Sequence, residues 1–91
     1  MNFDSGDSCF YKNDEDEKLI CEISYSMADN NMISIDRTFV HDDYRGQGIA
    51  AQLVDCVVEL AREENKKIIP RCAFAKGMLE RNSSLYADVM S

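Results

Sequence analysis

No run of apolar residues in this chain approaches the roughly 18 that a membrane-spanning helix needs. Its first residues, Met-Asn-Phe-Asp-Ser-Gly-Asp, lack the basic-then-apolar form of a secretory leader. The expectation is a cytoplasmic protein with no membrane partner. Basic residues are scarce, 10 Lys and Arg against 17 Asp and Glu, for a formal net charge of -7. Nucleic-acid affinity comes mainly from cations neutralising phosphates, so this deficit argues against a nucleic-acid partner. The only histidine is His41, and Cys9, Cys21, Cys56 and Cys72 form no C-x-x-C pair. Structural zinc wants closely spaced thiolates or imidazoles, so no metal site is expected. Without a secretory leader a disulfide framework is not expected either, and each cysteine reads first as a small buried apolar residue. Internal repeats, linkers and low-complexity segments are lacking too.

What is present is 91 residues with an apolar fraction of 45%. That suffices for one packed domain over residues 1–91, with 1–7 expected as a disordered lead-in. The charge is unevenly placed. Residues 1–36 hold nine acids and two bases, whereas 37–91 hold eight of each. An anionic ligand therefore finds its more tolerant surface in the second part. The acidic run Asp14-Glu15-Asp16-Glu17 reads as a solvated turn, or alternatively as an attractor for a cationic substrate.

Ser8–Lys12 reads as a short strand. Lys18–Met27 alternates, with Leu19, Cys21, Ile23 and Tyr25 on one side, which is the period of a half-buried strand. Met32–Val40 is a third strand rich in β-branched and aromatic residues, and the short turns between the three imply an antiparallel meander. From Ile49 the apolar residues recur at helical intervals (Leu53, Val57, Leu60) to about Asn65. A fourth strand runs from Lys67 to about Cys72, where Pro70 marks an edge, bulge or splay. A short helix over 73–81 and a final turn over 85–90 complete the chain. The fold class is α+β, in the order βββ-α-β-α: a mixed antiparallel and parallel sheet packed by one long and one short helix.

Tyr44-Arg45-Gly46-Gln47-Gly48-Ile49-Ala50 joins the third strand to the long helix. Such a segment offers backbone N–H groups with no helical partner, two glycines that let the chain bend close to a ligand, and the positive end of a helix dipole. Those features suit a pyrophosphate, with Arg45 adding a charge-assisted contact. The same glycines also suit an ordinary helix entry, so the residues alone leave cradle and structural turn both open.

Arg45-Gly46-Gln47-Gly48-Ile49-Ala50 resembles the pyrophosphate loop of the GCN5-related N-acetyltransferases, the GNAT superfamily. With Ile35–Val40 before it and Ile69–Phe74 after it, the chain is similar, over roughly residues 8–88, to a minimal GNAT subgroup lacking the usual first helices. The resemblance implies acetyl-CoA as cofactor, held by Arg45, Gly46, Gln47, Gly48, Ile49 and Ala50. It also implies that Thr38, Phe39 and Val40 lend backbone groups to the pantetheine arm, and that the thioester points toward Cys72. In that subgroup the matching cysteine is a candidate acetyl carrier. A thiol needs a cation or helix N-terminus to react as thiolate, and the helix starting near Ala73 is better placed for this than Arg71. Packing or cofactor contact is the alternative role for Cys72.

The chain departs from the subgroup in having Phe74 where a tyrosine is usual, and Asn82-Ser83 where His-Pro is usual. Phe74 cannot protonate a leaving thiolate. Tyr86, Ser83 or Ser84 are possible replacements, and His41 is either a general base or a surface histidine. The implied function is N-acetyl transfer from acetyl-CoA to an unidentified amine. The alternatives are a non-catalytic CoA or acyl-CoA binding module, or a protein-interaction domain that ignores CoA. A monomer is expected, with a weak dimer as the alternative.

Overall fold

The alternation of residues 19–27 is realised as a long strand that anchors the sheet. In a computed structural model, which describes residues 1–90, the strands are β1 (Asp4–Gly6), β2 (Cys9–Asn13), β3 (Leu19–Asp29), β4 (Met32–Val40) and β5 (Lys67–Pro70). The helices are α1 (Ile49–Glu63), α2 (Ala73–Arg81) and α3 (Ser83–Tyr86), and a 3-10 turn spans Asp42–Tyr44. This is the expected order with an outer strand and a one-turn helix added. Asp4–Gly6 forms β1 within the stretch expected to be a disordered lead-in; it pairs only with β2.

The five strands lie in the order β1-β2-β3-β4-β5, antiparallel throughout except that β4 and β5 are parallel. The turns are closed by aspartates. Asp14 Oδ1 accepts from the amides of Asp16 and Lys18 at 2.8 and 2.9 Å, and Asp29 Oδ1 accepts from Asn31 N at 2.8 Å. Such side-chain bonds imitate a backbone turn locally. Leu53, Val54 and Val57 of α1 and Leu79 of α2 are fully buried with Ile23, Ile33 and Ile35 of the sheet in one core. Each buried aliphatic side chain there contributes about 1.5–3 kcal/mol. Among the described residues no helix is long and apolar enough to cross a membrane.

Two departures from regularity shape one end of the sheet. Tyr25 faces Ile35 and Ser24 faces Arg37, so Asp36 is an extra residue, a bulge in β4. Its carboxylate accepts from the hydroxyls of Ser34 at 2.6 Å and Ser26 at 2.8 Å. β4 and β5 pair only from Met32↔Lys67 to Ile35↔Pro70, and β5 ends at Pro70 rather than at Cys72. There the Ile35 carbonyl accepts both the Arg71 amide at 3.0 Å and the Cys72 amide at 3.1 Å. Beyond that fork the strands separate, so Thr38–Val40 line an opened edge. Proline, which has no N–H to continue the ladder, stands at the point of divergence. The outer edge of β5 is closed by the chain end, Ile68 N donating to Val89 O at 2.6 Å.

Candidate functional site

The loop from β4 to α1 enters the left-handed region at two residues. Gly46 has φ +82° and Gly48 φ +78°, both left-handed, a conformation glycine adopts without the Cβ penalty. Gly48 is the N-cap of α1, and its carbonyl accepts from Gln52 N at 3.2 Å. Among the described residues the amides of Gly46 through Ala51 donate to no carbonyl or side chain. A Cβ built on either glycine would meet nothing within 4 Å, so it is φ rather than crowding that calls for glycine, and the space beside the loop is open. Six unpartnered donors in succession thus lead into the positive end of a 15-residue helix. Arg45 closes the loop on itself: its Nε donates to Val40 O at 3.2 Å and lies 3.2 Å from Asp42 Oδ1.

A cavity of about 390 Å³ opens at this loop. Of the residues expected to hold the cofactor, Thr38, Val40, Arg45, Gly46, Gly48, Ile49 and Ala50 line it, whereas Phe39, Gln47 and Cys72 do not. The register explains Phe39. His41 N donates to Ile20 O, and backbone groups alternate along an antiparallel strand, so Phe39, opposite Glu22, turns its amide and carbonyl to β3. Thr38 and Val40 turn theirs to the opened edge. Tyr44, Ala51 and Phe74 complete the lining. Phe74 is exposed to 41%, a large apolar ring left bare at the cavity. The acidic turn is next door: Tyr44 also walls a hollow of about 430 Å³ lined by Asp14, Glu15 and Asp16.

Cys72 is the N-cap of α2, and its Sγ lies 3.4 Å from Thr38 Oγ1 across the fork. Burial pushes this thiol up, but the Thr38 hydroxyl and the amides of Ala75, Phe74 and Thr38 outweigh it and hold the thiol below its ordinary value. The thiol itself makes no capping hydrogen bond; these donors favour the thiolate. The other three cysteines are pushed up, in each case mainly by burial. His41 Nδ1 accepts from Asp43 N at 3.1 Å, capping the 3-10 turn, and His41 does not line the cavity. Tyr86 is buried with its hydroxyl donating to Asp55 Oδ1 at 2.7 Å, while Ser83 and Ser84 are exposed; none of the three lines the cavity.

A family model described as GCN5-related N-acetyl-transferase matches residues 9–89. The structure of a Staphylococcus aureus protein described as a GCN5-like N-acetyltransferase is 46% identical, with a TM-score of 0.83 over 99% of this chain and 87% of that one. A GNAT-family acetyltransferase from S. aureus Mu50 has a TM-score of 0.65 at 23% identity, covering 81% of this chain and 50% of that one. Escherichia coli YhbS, determined in complex with CoA, has 0.59 at 22%, covering 68% and 38%. The chain thus spans half or less of these two longer proteins, which share its fold. No curated protein sequence matches.

Proposed function

The chain belongs to the GCN5-related N-acetyl-transferase family, and from that premise we propose that it transfers the acetyl group of acetyl-CoA to an amine at the cavity between β4, α1 and α2. The observation that carries this reading is the run of unpaired amides from Gly46 to Ala51 beside two left-handed glycines at the cavity mouth. Donors in that arrangement fit a pyrophosphate, and the open space at both glycine Cα atoms leaves room for it. Thr38 and Val40 turn backbone groups to the opened edge that suit the amides of a pantetheine arm, the Val40 carbonyl being shared with Arg45 Nε at 3.2 Å, and Phe74 offers it an apolar wall. Gln47 enters this assignment through its backbone amide alone, and Phe39 plays no direct part in it.

Acetyl-CoA would supply an activated thioester: a protein thiolate would take the acetyl group as CoA leaves as thiolate, and the amine nitrogen would then attack the new thioester, lose its proton and release the protein thiolate. Cys72 is our candidate for the thiol that carries the acetyl group in between. A thiolate favoured by Thr38 and the first amides of α2 is a competent nucleophile. The acidic turn beside Tyr44 supports a cationic acceptor, since Asp14, Glu15 and Asp16 raise the local concentration of ammonium groups near the cavity. One observation favours the alternative of a CoA-binding module without turnover: Phe74 stands in the cavity with no proton to give.

Titration with CoA and acetyl-CoA, followed by backbone amide shifts, tests the site. Perturbations at Thr38–Ala50 and at Cys72 are expected, and their absence overturns the assignment. CoA release in the presence of an amine panel separates enzyme from binding module, and intact-protein mass spectrometry of Cys72→Ala against the unaltered chain reads acetyl capture on the thiol.

A further inference from the structure

We propose that a second groove, remote from the cofactor cavity, binds a linear aliphatic polyamine. The groove lies between the second half of α1 and the β1–β2 hairpin and measures about 500 Å³. Its floor is apolar. The rings of Phe10 and Tyr25 meet at 5.7 Å between centroids with an interplanar angle of 31°, and Leu60 and Cys56 of α1 continue the surface. Phe10, Tyr25 and Leu60 pack on the core from below and remain partly open above.

Glu59 and Glu63 stand on the α1 wall, one turn apart, with Cβ atoms about 5–6 Å from each other. Glu59 lies 3.2 Å from Arg62 Nη1, but that guanidinium is drawn away by Asp88 at 2.8 Å and the Leu85 carbonyl at 2.9 Å. Among the described residues Glu63 makes no ion pair. Both carboxylates also lie in the half of α1 that carries the negative end of its dipole. Ammonium groups are thus favoured by the carboxylates, the helix terminus and the two aromatic residues that line the groove. Methylenes are favoured by the floor between them. Two carboxylates one turn apart select a chain with several ammonium groups over a singly charged amine.

The same charges exclude CoA from this groove. At 1.5 Å per residue, Ile49 and Leu60 are separated by about 16 Å along α1, so the groove is no extension of the cofactor cavity and acetyl transfer as proposed above makes no use of it.

The test is an amide-shift titration of the full chain with spermidine, beside 1,5-pentanediol as an uncharged chain and N-acetyl-lysine amide as a singly charged one. Spermidine is expected to shift Phe10, Tyr25 and Cys56–Glu63, pentanediol to shift none of them, and N-acetyl-lysine amide to bind about tenfold more weakly. The variant Glu59→Gln/Glu63→Gln should weaken spermidine about tenfold. Leu60→Lys, which tethers an ammonium over the floor from a partly exposed helix position, should abolish the shifts. Spermidine shifts that persist in both variants, or that follow Asp14–Glu17 instead, overturn the proposal. Equal binding of N-acetyl-lysine amide overturns it in favour of a lysine on a partner protein. CoA added to the same samples reports at Thr38–Ala50, so failure here and failure of the cofactor assignment are read at different residues.

Discussion

Replacing Gly48 by alanine separates conformational strain from steric exclusion. Gly48 has φ +78° and ψ 12°, and an added Cβ meets nothing within 4 Å, so the substitution introduces no clash in the folded protein. The left-handed conformation costs an L-residue about 1–2 kcal/mol relative to glycine, and that cost has two places to appear. If the loop keeps its shape, stability falls by that amount, and a domain of this size loses about 5–15 °C in melting temperature at about 4–8 °C per kcal/mol. If the loop relaxes to negative φ, the melting temperature is spared. The amides of Gly48 and Ile49 then rotate away from the cavity, and CoA affinity falls by up to the same free energy, about 5–30-fold. Thermal melts and calorimetric CoA titration on one preparation measure both. Gly48→Asn should give a smaller combined loss, because asparagine tolerates this region better. A Gly48→Ala protein that melts with the parent and binds CoA equally well refutes both the role of φ and the use of these amides.

Thr38→Val removes the hydroxyl facing Cys72 at 3.4 Å. It should raise the Cys72 pKa and slow alkylation by iodoacetamide about tenfold at a pH below the ordinary thiol range, with Thr38→Ser restoring the rate; an unchanged rate assigns the thiolate to the helix amides alone. Because the folded Cys72 pKa is depressed, its contribution to stability is present above the pKa of the unfolded thiol. It is lost as pH falls through the folded value, so chemical melts of the parent and Cys72→Ala should diverge at alkaline pH and converge on acidification. Phe74→Ala should weaken CoA about tenfold by removing apolar contact, measured by the same titration, and should leave the fold intact since the ring is 41% exposed. Tyr86→Phe should cost about 1–2 kcal/mol in urea unfolding by leaving Asp55 without its donor, with CoA affinity unchanged. Burial first and Asp55 second push the Tyr86 hydroxyl from 10.0 up to about 12. Its contribution is therefore complete below pH 10 and lost as pH rises through about 12, an alkaline loss that Tyr86→Phe should lack.

The sequence pattern locates Met32–Val40 and Ala73–Arg81 to the residue, and the start of α1 at Ile49, because each boundary is marked locally. Alternation ends at the polar His41–Arg45 stretch, Gly48 precedes the first periodic apolar residue, and Pro70 stops a ladder. β1 carries no such mark. Its residues Asp-Ser-Gly are all exposed, and backbone pairing to β2 alone holds them. The site is legible to the same degree. The glycine loop is visible as residue types, since only glycine enters the left-handed region freely, whereas Tyr44 and Ala51 join the cavity through tertiary placement.

The bulge at Asp36 is the part that no period predicts, and it decides which residues of β4 serve the site. On a regular strand Ile33, Ile35, Arg37 and Phe39 would share a face. With one residue inserted, Thr38 faces Ile23 and Val40 faces Cys21, on the side where Ile35 faces Tyr25, so the face runs Ile33, Ile35, Thr38, Val40. That single change of parity turns Phe39 toward β3 and carries Thr38 across the fork to Cys72. It also leaves Arg37 exposed rather than driven into the core. The thiol, the opened strand edge and the cavity wall therefore depend together on one extra residue, held in place by the Ser26 and Ser34 hydroxyls on the Asp36 carboxylate.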